Sequence, residues 1–181
     1  MKTIELFEYD KSLGAELLGG IDEAGRGPLA GPVVAGACIL PEGYVPEGLN
    51  DSKKLSEKKR NILYDDIVKN AVSFAIACAS PDEIDEINIL NASLLAMRRS
   101  IAMLDPQPDF VLVDGNTVRG FNIPCKAVVG GDGISPSIAA ASILAKVTRD
   151  RMCLELHEKY PMYGFDKHKG YPTKAHKLAV F

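Results

Sequence analysis

The sequence predicts an α/β protein in which a mixed β-sheet is flanked by helices. Short apolar runs rich in β-branched residues alternate along the chain with longer segments of helical periodicity. Too few residues separate the first two apolar runs for a crossover helix, so these strands should pair antiparallel, whereas later strands can be parallel. The length of 181 residues, without repeats or linkers, fits one domain over residues 1–181.

Five short segments have the composition expected of strands. They are rich in apolar and β-branched residues and are bounded by Gly, Pro, Asp or Asn. The predicted strands cover residues 17–22, 32–40, 71–79, 109–114 and 125–129. Residues 41–50, which are rich in Pro and Gly, are predicted to form a loop.

Three longer segments have helical periodicity. The predicted helices cover residues 56–69, 88–104 and 137–160. Ser56 is a suitable N-cap for the first helix, and Ser135 or Ser137 for the third. We expect Pro81 to open an acidic turn before the second helix. Pro161 should end the third helix, because proline cannot continue a helical hydrogen-bond ladder. The remaining residues should form a loop and a short final segment.

Composition and charge exclude several classes of protein. With 46% hydrophobic and 25% charged residues the chain is not disordered, and its apolar runs are shorter than the ~20 residues that a membrane span needs. Glu5 and Glu8 stand where a signal peptide would have its apolar segment, so we expect a cytoplasmic protein. The net charge of −3 excludes nucleic-acid binding by bulk charge. Residues 142–181 are nevertheless basic, so a basic face beside an acidic centre stays possible.

Four carboxylates lie at the ends of predicted strands. Asp22 and Glu23 end the first strand, Asp114 ends the fourth, and Asp132 follows the fifth. An acid in such a place is commonly a solvated turn residue, but ligand sites of α/β sheets gather at the carboxyl ends of strands, so we expect a shared site. Because adjacent strand residues point to opposite faces, Asp22 and Glu23 can share it only if the strand ends or bends there.

Four clustered carboxylates would repel one another and therefore need a cation, or protonation of one of them. Two unit charges about 5 Å apart, at an effective dielectric constant near 20, cost roughly 3 kcal/mol. An all-oxygen donor set suits Mg²⁺ or Mn²⁺. Two such ions would suit phosphodiester hydrolysis, in which one activates a water and the other stabilises the leaving oxygen.

The glycine-rich segment GRGPLAG at residues 25–31 follows the first acids. Its spacing fits a dinucleotide-binding loop, but its prolines disfavour the helix that should follow, and the neighbouring acids would repel a pyrophosphate. One interpretation is a tight turn between two strands. The other is a glycine-lined backbone that lets a sugar hydroxyl approach, with Arg26 facing a phosphate.

Basic residues lie in several places. Lys53 and Lys54 precede a predicted helix, whose N-terminal amides favour phosphate, although single lysines are usually only solvated. Further cations follow on the longest predicted helix, at Lys146, Arg149 and Arg151. Tyr171 stands between a glycine and a proline and should be exposed, where its ring could stack on a sugar or a base.

Six segments match the pattern of a known family. They are GIDEAGRGPLAGPVVAGACIL at 20–40, LNDSKKLS at 49–56, INILNASLLAM at 87–97, VLVDGN at 111–116, SIAAASILAKVTRDR at 137–151 and YGFDKHKGYPTKAH at 163–176. Together they resemble ribonuclease HII over about residues 18–176. The combination is highly specific, and the first segment alone carries most of the resemblance.

The resemblance implies a ribonuclease H-like fold, a mixed sheet with helices on both faces. It implies an endonuclease that hydrolyses the RNA strand of RNA–DNA hybrids and nicks duplex DNA 5′ of embedded ribonucleotides, leaving 5′-phosphate and 3′-hydroxyl ends. Two divalent ions, Mn²⁺ or Mg²⁺, would be bound by the acids that match the motif, Asp22, Glu23, Asp114 and Asp132. The implied substrate contacts are Gly25, Arg26 and Gly27 for the 2′-hydroxyl, Tyr171 for the sugar, and Lys53 and Lys54 for phosphates.

Two features depart from the family pattern. Many members have Lys-Gly-Asp at the last acid, where this chain has Gly130, Gly131 and Asp132, so one nearby positive charge is missing. Many members also continue into a further basic segment, whereas this sequence stops at Phe181, as a truncated or a short member would.

Three alternatives differ in the features that they need. A ribonuclease HIII would need an extra N-terminal domain, for which the residues before the first predicted strand leave no room. A junction resolvase of related fold would not need the glycine–arginine–glycine segment. A non-enzymatic hybrid-binding module would not need four gathered acids. We expect a monomer.

Overall fold

The structure, a computed structural model, describes residues 8–181 and contains a five-stranded sheet. The strands are β1 (Leu18–Ala24), β2 (Val33–Ile39), β3 (Ser73–Ala79), β4 (Phe110–Asp114) and β5 (Cys125–Val128). Their order in the sheet is β3-β2-β1-β4-β5. All five predicted strands are confirmed, and each end lies within two residues of its predicted position.

The sheet is mixed, as predicted. β1 pairs antiparallel with β2, and β2 pairs antiparallel with the edge strand β3. On its other side β1 pairs parallel with β4, which pairs parallel with β5. The carboxyl ends of β1, β4 and β5 therefore lie at the same edge of the sheet.

Three long helices follow the strands. They are α1 (Glu57–Asn70), α2 (Pro81–Ala102) and α3 (Pro136–Lys159). Their N-caps are Ser56, Ser80 and Ser135, and each side chain accepts a hydrogen bond from an amide of the first turn. Two short helices, α4 (Phe165–His168) and α5 (Lys174–Val180), occupy the C-terminal region. The predicted final loop therefore contains α4.

The prediction of an acidic turn before α2 is wrong. Ser80 and Glu83 form a capping box, so the helix begins at Pro81. The predicted start near Asn88 coincides instead with a break inside the helix, where Asn88 has a φ of 68°. Its side chain accepts a hydrogen bond of 3.1 Å from the Asn91 amide, as an N-cap does for a new helix.

Hydrophobic cores lie on both faces of the sheet, as the resemblance implies. Alternate residues of β2, such as Val33 and Ala35, pack against α2 through side chains that include Met97. Cys38 of the same strand packs on the other face with α1 and α3, in a core that includes Ile143. This division follows from the alternation of side chains along a strand.

The helix α3 lies close against the centre of the sheet because two strands have glycine where it crosses them. A Cβ atom on Gly20 of β1 would overlap the main chain of Ser137, and one on Gly36 of β2 would overlap the carbonyl oxygen of Ala141. The two glycines thus set the position of the helix that follows Asp132.

None of the helices in residues 8–181 has the length and the apolar character that a membrane crossing requires. The argument about an N-terminal signal peptide depends partly on Glu5, which lies outside the described residues.

Candidate active site

Three chain segments bring the four predicted acids to one edge of the sheet. Asp22 and Glu23 lie near the end of β1, and Asp114 is the last residue of β4, the parallel neighbour of β1. Asp132 lies in the 3₁₀ helix Gly131–Gly133, between β5 and α3. Acids that are distant in sequence meet here because the carboxyl ends of adjacent parallel strands share an edge.

Main-chain amides hold two of these carboxylates. Oδ1 of Asp22 accepts a hydrogen bond of 2.7 Å from the amide of Glu23, and Oδ1 of Asp114 accepts one of 3.4 Å from the amide of Asp132. β1 continues to Ala24, and the chain then turns at Gly25, which has a φ of 105°. The strand therefore ends one residue after the two adjacent acids.

Burial and mutual repulsion raise the pKa of both acids of β1. Asp22 is 5% exposed, and burial raises its pKa well above the ordinary value, with further contributions from the charges of Glu23 and Asp114. The pKa of Glu23 is also raised, chiefly by burial, while Arg26 lowers it and Asp114 adds to the rise. The charges lie close enough to repel, so a cation would relieve an electrostatic strain.

Asp132 lies in a similar environment on the other side of the cluster. Burial, followed by a hydrogen bond with the Asp51 carboxyl group and the charge of Asp51, raises the pKa of Asp132 to about 6. Lys53 opposes this rise. Burial lowers the pKa of Lys53 itself, but the charges of the surrounding acids, Asp132 and Asp51 first, more than compensate and raise it.

The sequence interpretation missed Asp51. This residue is the N-cap of the 3₁₀ helix Ser52–Lys54, and its side chain accepts a hydrogen bond of 2.9 Å from the amide of Lys53. Its position immediately before the predicted phosphate-binding lysines was the available signal. Its approach to Asp132 arises from the tertiary fold and has no mark in the local sequence.

The chemistry of this cluster fits hard divalent cations. Its donors are carboxylate oxygens, and Oε2 of Glu23 is buried without a hydrogen-bond partner among the described residues. No three His, Cys, Asp or Glu side chains in residues 8–181 are placed so that they could hold a metal ion together.

The glycine-rich segment after β1 meets the segment that contains Tyr171. A Cβ atom on Gly27 would lie 3.3 Å from Cε1 of Tyr171. The amide of Leu29 donates a hydrogen bond of 2.8 Å to the carbonyl of Gly170. Tyr171 is 41% exposed, which confirms the prediction from its neighbours. The predicted 2′-hydroxyl loop and the predicted stacking ring thus form one continuous surface.

Two of the predicted phosphate-binding cations, Arg26 and Lys53, lie beside the acids. Nη1 of Arg26 is 3.6 Å from Oε1 of Glu23, and the Arg26 side chain is 49% exposed. Lys53 and Lys54 are both exposed, and Lys53 is the one whose charge acts on Asp132. Arg26 and Lys53 therefore reach different members of the acidic cluster.

The cations of α3 do not form one basic face. Arg149, grouped with the others in the sequence, is 1% exposed and donates hydrogen bonds to three main-chain carbonyls. Lys146 pairs with Asp150 at 2.8 Å, and the guanidinium of Arg151 lies 4.5 Å from the ring centroid of Tyr64. Arg149 is thus unavailable to a phosphate.

A cavity of about 960 Å³ lies elsewhere on the surface. Its lining includes Leu29, Met152, Leu156 and Phe165 and none of the four acids. This cavity is therefore separate from the acidic cluster.

Comparisons with known proteins agree with this geometry. The family model described as Ribonuclease HII matches residues 19–181. A Ribonuclease HII of Acinetobacter baylyi is 57% identical over 165 residues, which cover 91% of this chain and 87% of that protein. One of Burkholderia ambifaria is 53% identical over 172 residues, covering 95% of this chain and 79% of that protein.

A solved structure shares the fold. The ribonuclease H2 of Pyrococcus horikoshii OT3 superposes with a TM-score of 0.75 at 29% identity, covering 89% of this chain and 83% of that chain. The hypotheses of a junction resolvase and of a non-enzymatic hybrid-binding module do not agree with these matches. The fold, the gathered acids and the family match together show that this chain belongs to the ribonuclease HII family and is a ribonuclease H, a hydrolase.

Proposed function

We propose that this enzyme cleaves the RNA strand of RNA–DNA hybrids and also nicks duplex DNA 5′ of embedded ribonucleotides. Membership of the family supports ribonuclease H activity on hybrids. The finer proposal is supported by one observation, the adjacency of the acidic cluster to a glycine-lined loop that lies against the exposed Tyr171. Cleavage leaves 5′-phosphate and 3′-hydroxyl ends, and such nicks open the way to removal of ribonucleotides from DNA.

In this proposal the acidic cluster holds two divalent ions, Mg²⁺ or Mn²⁺. The ligands are Asp22, Glu23, Asp114 and Asp132, and the unpartnered Oε2 of Glu23 supports this assignment. When bound, such ions supply an activated water and stabilisation of the leaving 3′-oxygen. The four acids would hold the ions at this edge of the sheet, and Lys53 offsets part of the negative charge of the cluster.

Recognition of the sugar is assigned to the loop at residues 25–27 and to Tyr171. Glycine at positions 25 and 27 leaves the main chain uncovered, so its amides and carbonyls can approach a 2′-hydroxyl. The 2′-hydroxyl is the group that separates RNA from DNA at a given position. The exposed ring of Tyr171 stacks on the adjoining sugar, and Arg26, Lys53 and Lys54 contact phosphates.

We also propose, as the sequence predicts, that the enzyme acts as a monomer with a single catalytic domain. The cytoplasmic location stays a prediction from the sequence.

One assay tests the proposal. The enzyme is incubated with a duplex that contains one ribonucleotide, with an all-DNA duplex of the same sequence, and with an RNA–DNA hybrid, each in Mg²⁺, Mn²⁺ or EDTA. We expect a cut 5′ of the ribonucleotide and cleavage of the hybrid in the presence of a metal, and no cleavage of DNA. Efficient cutting of all-DNA, or a cut on the 3′ side of the ribonucleotide, would contradict it.

A further inference from the structure

We propose that Arg149 is a positioning residue for substrate recognition, because its buried guanidinium joins the loop at residues 25–32 to the segment at residues 168–171. The join sets the ring of Tyr171 beside Gly27. This inference rests on the proposed function, since it assumes that these two segments bind substrate. Arg149 itself is 1% exposed and acts through the groups that it holds.

The side chain of Arg149 reaches both segments at once. Its Nε donates a hydrogen bond of 3.0 Å to the carbonyl of Pro32, and Nη2 donates one of 3.0 Å to the carbonyl of Ala30. Its Nη1 donates one of 2.7 Å to the carbonyl of Lys169, two residues before Tyr171. A planar guanidinium can hold three carbonyls in fixed directions, whereas the ammonium group of a lysine is a single point.

Three glycines let the main chain close around this guanidinium. Gly25, Gly31 and Gly170 have φ angles of 105°, 92° and 86°, which residues other than glycine rarely adopt. A Cβ atom on Gly25 would lie 2.5 Å from Nε of Arg149. Cβ atoms on Gly31 and Gly170 would lie 3.1 and 3.3 Å from its Nη2. Gly25 therefore makes room for Arg149 in addition to its proposed contact with the sugar.

Packing alone does not explain a cation in this place. A buried charge loses its hydration, and an apolar side chain of similar length could fill the same volume without that loss. The acceptors are neutral carbonyls, and all three belong to the two segments that frame Tyr171 and Gly27. A buried arginine at this position is explained if its guanidinium maintains the relative position of these two segments.

This role predicts that Arg149 and Tyr171 act as one unit. Loss of Arg149 should let the two segments separate and displace the ring, while the acids, which the guanidinium does not contact, keep their positions. The expected effect is a higher KM for a duplex with one ribonucleotide, with little change in kcat. Loss of the Tyr171 ring should have the same effect, of about tenfold for one stacking contact.

A double-mutant cycle tests the unit. KM and kcat are measured in Mg²⁺ with the single-ribonucleotide duplex for wild type, Arg149→Met, Tyr171→Ala and the double variant. We expect the double variant to raise KM by no more than the larger single change, about tenfold. The matched control is Arg151→Met, an exposed arginine on the same helix, which should leave KM near the wild-type value.

Two further variants keep the test decisive if Arg149→Met does not fold. Arg149→Lys keeps the buried charge and should raise KM less than Arg149→Met does. Gly170→Ala keeps Arg149, but its Cβ atom would overlap the carbonyl oxygen of Ala30 and force the segments apart, so it should raise KM as Tyr171→Ala does.

The outcomes separate this inference from the proposed function. If the effects of the two single changes on KM multiply to about a hundredfold in the double variant, the positioning role is wrong. The same holds if Gly170→Ala leaves KM unchanged, and in both cases the proposed function still stands. If the wild type does not cut at the ribonucleotide, the proposed function fails, and the inference fails with it.

Discussion

The amide of Glu23 donates a hydrogen bond of 2.7 Å to Oδ1 of Asp22, so two acids adjacent in sequence are held together where β1 ends. This bond offsets only part of the cost of the arrangement. Burial, and then the charges of Glu23 and Asp114, still raise the pKa of Asp22. Oε2 of Glu23 has no partner among the described residues. The site without metal is therefore electrostatically strained.

Removal of one charge should stabilise the protein without metal. In EDTA, Asp114→Asn is expected to melt above the wild type, because each close pair of charges costs up to roughly 3 kcal/mol before solvent screening. Each kcal/mol corresponds to about 2–4 °C for a chain of this size. Mn²⁺ should raise the wild-type melting temperature more than that of Asp114→Asn, because it binds the folded site. Glu47→Gln, on an exposed loop, is the control.

The measurement is thermal melting of the three proteins in EDTA and in Mn²⁺. A melting temperature of Asp114→Asn below that of the wild type in EDTA would show that hydrogen bonds, and not repulsion, dominate at this carboxylate.

The stability of the protein without metal should rise as the pH falls from about 7 to about 5. A carboxyl group whose pKa is raised on folding binds more protons in the folded state, so its destabilising effect is full above the folded pKa. For Asp132 that effect is lost progressively as the pH falls through about 6 toward the ordinary value of 3.8. Asp22 and Glu23 shift in the same direction.

Denaturant unfolding in EDTA at several pH values measures this dependence. Asp132→Asn should flatten the pH profile relative to the wild type. A free energy of unfolding that increases with pH over the same interval would contradict the assigned direction.

The contact between Gly27 and Tyr171 predicts how the loop tolerates substitution. Gly27→Val should raise KM for a single-ribonucleotide duplex and reduce the preference of the enzyme for this duplex over all-DNA. The reason is that even a Cβ atom at position 27 would lie 3.3 Å from the ring of Tyr171, so the larger valine side chain would press against that ring. Arg26→Ala should weaken binding to both duplexes with less effect on the preference, because its exposed guanidinium acts by charge. Competition binding with the two duplexes would distinguish these outcomes. A larger loss of preference in Arg26→Ala than in Gly27→Val would reverse the assignment.

The close approach of α3 to the sheet predicts a strong effect of one methyl group. Gly36→Ala should destabilise the fold by about 1–3 kcal/mol, since its Cβ atom would overlap the Ala141 carbonyl oxygen in a packed core. Gly133→Ala is the control, because no atom lies within 4 Å of the Cβ position there. Chemical denaturation compares the two variants. Equal stability would show that α3 can shift away from β2 at little cost.

The sequence was sufficient to predict the strands and the gathering of acids at their ends. Apolar runs set the strands, Asp114 ends one such run, and Asp132 follows another after two glycines. The early start of α2 was also readable, because Ser80 and Glu83 have the spacing of a capping box. The acidic composition of this segment resembles a turn, but the capping box starts the helix there.

The roles of Arg149 and Asp51 could not be predicted from local pattern. An arginine on a helix is usually exposed, and only the tertiary fold places the Arg149 guanidinium among carbonyls from residues 30, 32 and 169. Asp51 approaches Asp132 across a long stretch of chain. Contacts of this kind depend on how the helices, strands and loops pack, so the periodicity of the sequence does not predict them.

The most direct test of the central claim is cleavage of a duplex with one ribonucleotide by Asp132→Asn in Mg²⁺ and Mn²⁺. Because catalysis is assigned to four acids that hold divalent ions, this variant should lose at least about a hundredfold in turnover while its affinity for that duplex stays close to the wild-type value. Turnover near the wild-type rate would contradict the assignment of Asp132 and the four-acid site with it.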